Sequence, residues 1–183
     1  MKGPVAQIIL VGWAVFWIGW LLAAANVKRG QVSWNRYAGI RLVLVVIVVA
    51  VVRARHGVDD ATLKGAVPKG IGLALWALGL GLAVWARVYI GRNWGTPMSR
   101  KEDPELVTTG PYRRVRHPIY SGIVLAMIGT AVAISLYWLI VAALFGVYFA
   151  YSARAEERYM TEQFPEAYPA YQRSSKMLIP FIF

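Results

Sequence analysis

Two polar clusters hold most of the side chains able to do chemistry in this chain of 183 residues. The first is Arg113-Arg114-Val115-Arg116-His117-Pro118-Ile119-Tyr120-Ser121-Gly122, three guanidinium groups and an imidazole leading into an apolar stretch. The second is Arg154-Ala155-Glu156-Glu157, an adjacent acidic pair in a chain with only nine acidic residues. Pro118 suits the first turn of a helix, where its missing N–H costs nothing. A helix starting there carries partial positive charge, reinforced by Arg113, Arg114 and Arg116, and attracts a carboxylate or a phosphate. Glu156 and Glu157 accept hydrogen bonds from hydroxyl and ammonium groups. Together the clusters would suit a ligand that carries both signs. Each also has a plainer reading, since basic residues routinely flank membrane spans and exposed ion pairs contribute little.

The clusters can meet only if the chain between them reverses. About 40 residues separate them, nearly all apolar, with Ser135-Leu136-Tyr137 close to the middle. Two helical legs of that length each travel roughly 27–30 Å, about the thickness of a bilayer core. A helical hairpin would therefore return Glu156 and Glu157 to the membrane face that holds Arg116 and His117.

Composition supports the lipid setting. With 58% hydrophobic residues and a mean hydropathy of +0.49, this is not an ordinary soluble domain. A net charge of +11 would suggest nucleic acid in a soluble protein. Here the basic residues flank apolar runs, so they are read as topology and headgroup contacts, with no nucleic-acid partner. The absence of cysteine excludes disulfides and thiolate chemistry. The two histidines, His56 and His117, fall on opposite sides of the expected topology, so no metal site is expected.

The expected fold is an all-α integral membrane protein of about five transmembrane helices. The spans run over 5–25, 37–52, 71–90, 119–135 and 136–151, the last two forming the hairpin. The first is read as a retained span and not as a removed signal peptide. Residues 1–90 hold three spans, and residues 91–183 hold a polar loop, the hairpin and a terminal segment. With five spans, thirteen Lys and Arg lie on the side bearing both motifs and five on the other, which places the motifs and C-terminus in the cytoplasm of an inner or plasma membrane. Pro165 and Pro169 are expected to break the helical pattern after Arg154. Met177 to Phe183 is expected to fold back on the bundle or the membrane surface. Tyr159, Phe164, Tyr168 and Tyr171 could stack on a purine or form the packed face of a short surface helix.

From about Ala86 to Phe183 the chain resembles the isoprenylcysteine carboxyl methyltransferase family of membrane enzymes. The resemblance rests on Ile90-Gly91-Arg92-Asn93-Trp94, Leu106-Val107-Thr108-Thr109-Gly110-Pro111-Tyr112, Arg116-His117-Pro118-Ile119-Tyr120-Ser121-Gly122, Glu156-Glu157, Tyr168-x-x-Tyr171 and Ile179-Pro180-Phe181-Ile182. It implies S-adenosylmethionine as cofactor, held in a cytosolic pocket. His117, Pro118 and Tyr120 would line that pocket, Glu156 and Glu157 would lie near the cofactor's polar groups, and Leu106 and Val107 would offer backbone contacts to adenine. Arg116 would orient an acceptor carboxylate or help hold the cofactor, with Arg154 a lesser candidate. Two positions depart from the family pattern, Asp103-Pro104-Glu105 and Phe164-Pro165.

What the resemblance implies is methyl transfer to a lipophilic acceptor, most simply a carboxylate, which is ionised at neutral pH and needs no base. Phospholipid amines and small thiols are alternative acceptors in related enzymes and would need one. A transporter would require ionisable residues deep within spans. Only Arg41 and Arg87 approach that, both near span ends. A membrane scaffold without catalysis is the other alternative.

Overall fold

The computed structural model describes residues 3–24, 30–31, 34–54, 61–94, 100–101 and 105–180. Five long helices follow one another: α1 (Pro4–Ala24), α2 (Trp34–Ala54), α3 (Ala66–Ile90), α4 (Pro118–Ile134) and α5 (Trp138–Gln163). A short α6 (Ala167–Ser174) completes the described chain. α1, α3 and α5 are long and apolar enough to cross a bilayer, whereas the apolar parts of α2 and α4 are shorter. Val15, Leu21 and Leu22 on α1 and Leu42, Val43 and Val46 on α2 are all more than half exposed. So much outward-facing hydrocarbon needs lipid for its solvent. The protein is an integral membrane protein.

α3 and α4 form the tightest seam. A Cβ added at Gly79 would lie 2.5 Å from the carbonyl oxygen of Gly122, and one added at Gly122 would lie 2.6 Å from that of Gly79. Two turns further along, a Cβ at Gly129 would lie 2.6 Å from the carbonyl oxygen of Gly72. Between lipid-soluble helices, small residues allow this approach, and dispersion between the backbones holds it. The α4–α5 turn is anchored by Leu136 N–H to Ala61 O, by Thr62 Oγ1 to Ile134 O at 3.0 Å, and by Tyr137 Oη to Val51 O at 2.5 Å. The hairpin thus turns at the membrane end where α2 stops and α3 starts.

At the other end, Arg87 is only 8% exposed and joins two helix termini. Its guanidinium donates to Ala23 O on α1 and to Gly91 O after α3, both at 2.9 Å, and lies 4.4 Å from the centre of the Trp94 ring. Carbonyls left over at helix C-termini are the natural partners for a buried cation. Gly91 ends α3 with φ of +56°, as the Gly91-Arg92-Asn93-Trp94 turn requires.

Several expectations change in detail. α5 runs about three turns beyond the apolar stretch, through the acidic pair to Gln163. Pro165 lies in the break after α5, but Pro169 sits inside α6. There it occupies the first turn, where no helical carbonyl awaits its missing N–H. One short pairing adds to the all-α scheme: β1 (Gly30–Gln31) lies antiparallel to β2 (Arg100–Lys101). His56, Asp103-Pro104 and Phe181-Ile182-Phe183 lie outside the described residues, as does the side chain of Arg41.

Candidate active site

The site begins with the turn that precedes α4. Gly110 has φ of +59°, and a Cβ there would meet the Tyr89 ring at 2.6 Å. Glycine therefore lets residues 110–113 fold against the end of α3, where Tyr112 is buried and donates to Ala86 O at 3.2 Å. The terminal segment then straps this loop down. Arg116 N–H donates to Lys176 O at 2.8 Å, His117 N–H to Met177 O at 3.1 Å, and Lys176 N–H to Arg114 O at 2.9 Å. Ser121 Oγ donates to Leu178 O at 2.5 Å. Met177 to Pro180 does fold back, and what it covers is the Arg-His-Pro entry to α4.

The hairpin brings the two clusters into contact. Arg116 Nε donates to Glu157 Oε1 at 2.6 Å, with both side chains about nine-tenths buried. A second guanidinium nitrogen of Arg116 donates to Ser175 O at 2.8 Å, and Gln172 Nε2 donates to Glu157 Oε2 at 3.1 Å. The imidazole of His117 spans the acidic pair, with Nδ1 at 3.5 Å from Glu156 Oε2 and Nε2 at 3.4 Å from Glu157 Oε1. Nε2 is buried with no aligned hydrogen bond. Tyr120 Oη donates to Glu156 Oε1 at 2.6 Å. A buried pair of this kind persists because each charge has several partners.

Above these groups lies a cleft with about 970 Å³ of space not filled by protein, its open mouth included. Its polar lining includes Arg116, His117, Glu156 and Tyr159, with Asn93 and Glu105. Its apolar lining includes Ile90, Trp94, Leu106 and Val107. Tyr112, Ile119, Tyr120, Met160, Tyr168 and Tyr171 complete it. Burial raises the phenol pKa of Tyr171 to about 12 and moves those of Tyr112 and Tyr168 up as well. At neutral pH these tyrosines are uncharged donors and not bases. Tyr171 donates to Tyr112 O, tying α6 to the loop.

Of the residues singled out from sequence, Leu106, Val107, Arg116, His117, Tyr120 and Glu156 line the cleft. Glu157 stands behind it, orienting Arg116, and Pro118 is fully buried at the start of α4. Arg154 is exposed and is not part of the lining. Sequence reasoning gave no role to Asn93, Trp94, Tyr112 or Gln172. The first three stood inside quoted motifs, so their position was visible but their purpose was not.

Residues 68–167, more than half of the chain, match the family model described as phospholipid methyltransferase. The chain belongs to that family. The phospholipid methyltransferase family falls within the isoprenylcysteine carboxyl methyltransferase-like membrane enzymes, so the resemblance seen in the motifs is borne out. The match starts near the beginning of α3 and ends at α6, enclosing every residue of the cleft except Tyr168 and Tyr171. The chain is also similar to the nickel-cobalt-cadmium resistance protein NccN of Alcaligenes xylosoxydans xylosoxydans. That similarity is 28% identity over 161 residues, covering 87% of this chain and 71% of that protein. Membership makes the protein a membrane methyltransferase and implies a methyl donor of the S-adenosylmethionine type.

Proposed function

We propose that the cleft binds S-adenosylmethionine and that the protein methylates a lipophilic acceptor, most simply a carboxylate. The observation carrying this reading is one cleft that offers an acidic group, a cation, an imidazole and aromatic walls together. That donor set fits the cofactor's chemistry. Glu156 accepts from ammonium or hydroxyl groups, and the buried imidazole of His117 offers a polar contact beside it. Ile90, Trp94, Leu106 and Val107 suit the flat apolar face of a purine. When bound, the cofactor supplies an electrophilic methyl group on a sulfonium.

The protein's own work is alignment and exclusion of water. A carboxylate acceptor is already a nucleophile at neutral pH, so no residue has to remove a proton. Arg116, held rigidly by Glu157, Gln172 O and Ser175 O, would fix such a carboxylate by charge and geometry. Charge is neutralised as the methyl moves, so the dry walls favour the transition state over the separated ions. Amine or thiol acceptors would need His117 or Glu156 as base.

The acceptor's chain would lie in a second cavity between α1, α4 and α5, with about 790 Å³ of space not filled by protein, its open side included. Ile9, Trp13, Trp17, Ile123, Met127 and Phe145 line it, and the Thr130 hydroxyl there accepts from Trp13 Nε1 at 3.0 Å. Apolar walls at membrane depth fit a hydrocarbon chain entering sideways from the bilayer. The Lys and Arg bias supports a cytosolic cleft, and residues 91–183 would then form the methyl-transfer region behind three N-terminal spans.

Methyl-label transfer from S-adenosylmethionine into a lipid and small-molecule extract tests this reading, with identification of the labelled product. The expected product is soluble in organic solvent and hydrolysed by mild base, as a methyl ester is. Glu156→Gln should weaken binding of S-adenosylhomocysteine by about tenfold or more, since a hydrogen bond to a charged group contributes about 1.5–3 kcal/mol. Calorimetry in detergent reads that change. A wild-type protein with no affinity for S-adenosylhomocysteine would end the proposal. Arg154→Ala, changing an exposed side chain away from the cleft, should alter activity by less than about threefold.

A further inference from the structure

The cleft and the apolar groove approach each other across one layer of side chains. On α4, Tyr120 faces the cleft while Ile123, one turn on, faces the groove. On α5, Glu156 faces the cleft and Phe145 the groove. Between those two levels sits Phe149, 5% exposed and part of neither lining. Its ring stacks on Tyr120 with centres 4.5 Å apart and planes 6° from parallel, and the rings of Tyr148 and Phe145 lie 5.6 Å and 5.8 Å away. Tyr120 in turn stacks on His117 at 5.5 Å. A ladder of four rings therefore runs from the polar site into the groove wall.

We propose that Phe149 is the partition between the two cavities and that its ring sets how bulky an acceptor head can reach the methyl donor. This rests on the reading of the cleft as the donor site and the groove as the acceptor's seat. The reacting groups come from opposite sides of this layer and must meet beside it. Tyr120 is held by its bond to Glu156, so it cannot yield without disturbing the site. Phe149 has no polar anchor. Its rotamer and size are the adjustable part of the layer, and a slim head passes where a wide one is stopped. The layer also keeps bulk water in the cleft from wetting the groove.

The chain has no cysteine, which allows a direct test. Ile123→Cys places one thiol on the groove side. It is probed with two membrane-impermeant sulfonated thiosulfonates, one with a short ethyl arm and one with a bulky aryl arm. With Phe149 in place, the short reagent should label the thiol slowly and the bulky one hardly at all. Adding Phe149→Ala should accelerate the bulky reagent at least tenfold, Phe149→Leu by an intermediate amount, and Phe149→Trp should block both. S-adenosylhomocysteine should protect the thiol in the Phe149→Ala background, and retained binding of it shows that each variant has kept its fold. Equal labelling by both reagents at every residue-149 side chain overturns the partition. Acceleration without protection, when S-adenosylhomocysteine binds, means entry by another route and also overturns it. Absence of S-adenosylhomocysteine binding to the wild type removes the donor reading instead, and the graded labelling then decides the partition alone.

Discussion

Arg116→Ala is expected to reduce methyl transfer more than 100-fold while the protein still inserts in the membrane. Arg116 does three things at once. It neutralises Glu157, it binds the carbonyls of Gln172 and Ser175, and it stands on the cleft wall. Removing one partner of a buried ion pair leaves the other charge uncompensated, which costs about 3–5 kcal/mol. Glu157 would then draw on His117, already 3.4 Å away, and pull the imidazole from Glu156. The C-terminal strap would lose two of its ties to the loop before α4. Arg116→Lys should recover only a small part of the activity. A lysine can meet Glu157 but cannot hold the carboxylate and two carbonyls in one rigid fork. Label transfer and S-adenosylhomocysteine calorimetry on the same purified samples give the measurement. Wild-type turnover in Arg116→Ala would show that the cation is structural decoration and that the cleft works without it.

The hairpin was legible because its information is one-dimensional. Two polar ends, an apolar interior and a central serine are enough to state that Arg116 and Glu157 come together, and they do, at 2.6 Å. The five helices were legible for the same reason. The inner structure of the cleft was not. Whether Glu156 or Glu157 faces the cleft depends on how α5 is rotated, and α5 stays helical well past its apolar stretch, which hydropathy alone does not show. The aromatic residues near the C-terminus showed a similar ambiguity. Tyr168 and Tyr171 are buried on the packed face of α6 and also line the cleft, so packing there does not remove them from the site. By sequence Arg87 is only an ionisable residue near a span end, but one of its partners, Ala23, comes from a part of the chain that no spacing rule connects to it, and the Trp94 ring also packs on it. Long-range pairing of that kind is settled by tertiary packing, after local pattern has done its part.

The small residues of α3 show the same division between pattern and packing, and they yield the second large expected effect. Gly79 and Gly81 are two positions apart on one helix, and glycine at either could permit close approach of a neighbouring helix. In the structure a Cβ at Gly79 runs into the backbone of α4, whereas a Cβ at Gly81 meets nothing within 4 Å. Substitutions at the two positions should therefore differ in sign. Gly81→Ala should be neutral or stabilising by up to about 1 kcal/mol, because a helix gains from losing a glycine. Gly79→Val should be strongly destabilising, since the atoms it meets are backbone and cannot rotate aside. The helices would have to separate, giving up the dispersion contacts that replace the hydrophobic effect in lipid. Function should fall with stability. The apolar wall of the cleft is carried by the end of α3 through Ile90 and Trp94, and the facing wall by the start of α4 through Ile119 and Tyr120. Gly79 is about 16 Å along the helix from Ile90, yet spreading the seam there moves one wall relative to the other. Thermal unfolding in detergent should show a lower midpoint for Gly79→Val and an equal or higher one for Gly81→Ala. S-adenosylhomocysteine affinity should drop at least tenfold only in Gly79→Val. If both variants bind and melt like the wild type, the α3–α4 contact is looser than the geometry requires, and the cleft must be held by the loop and the strap instead.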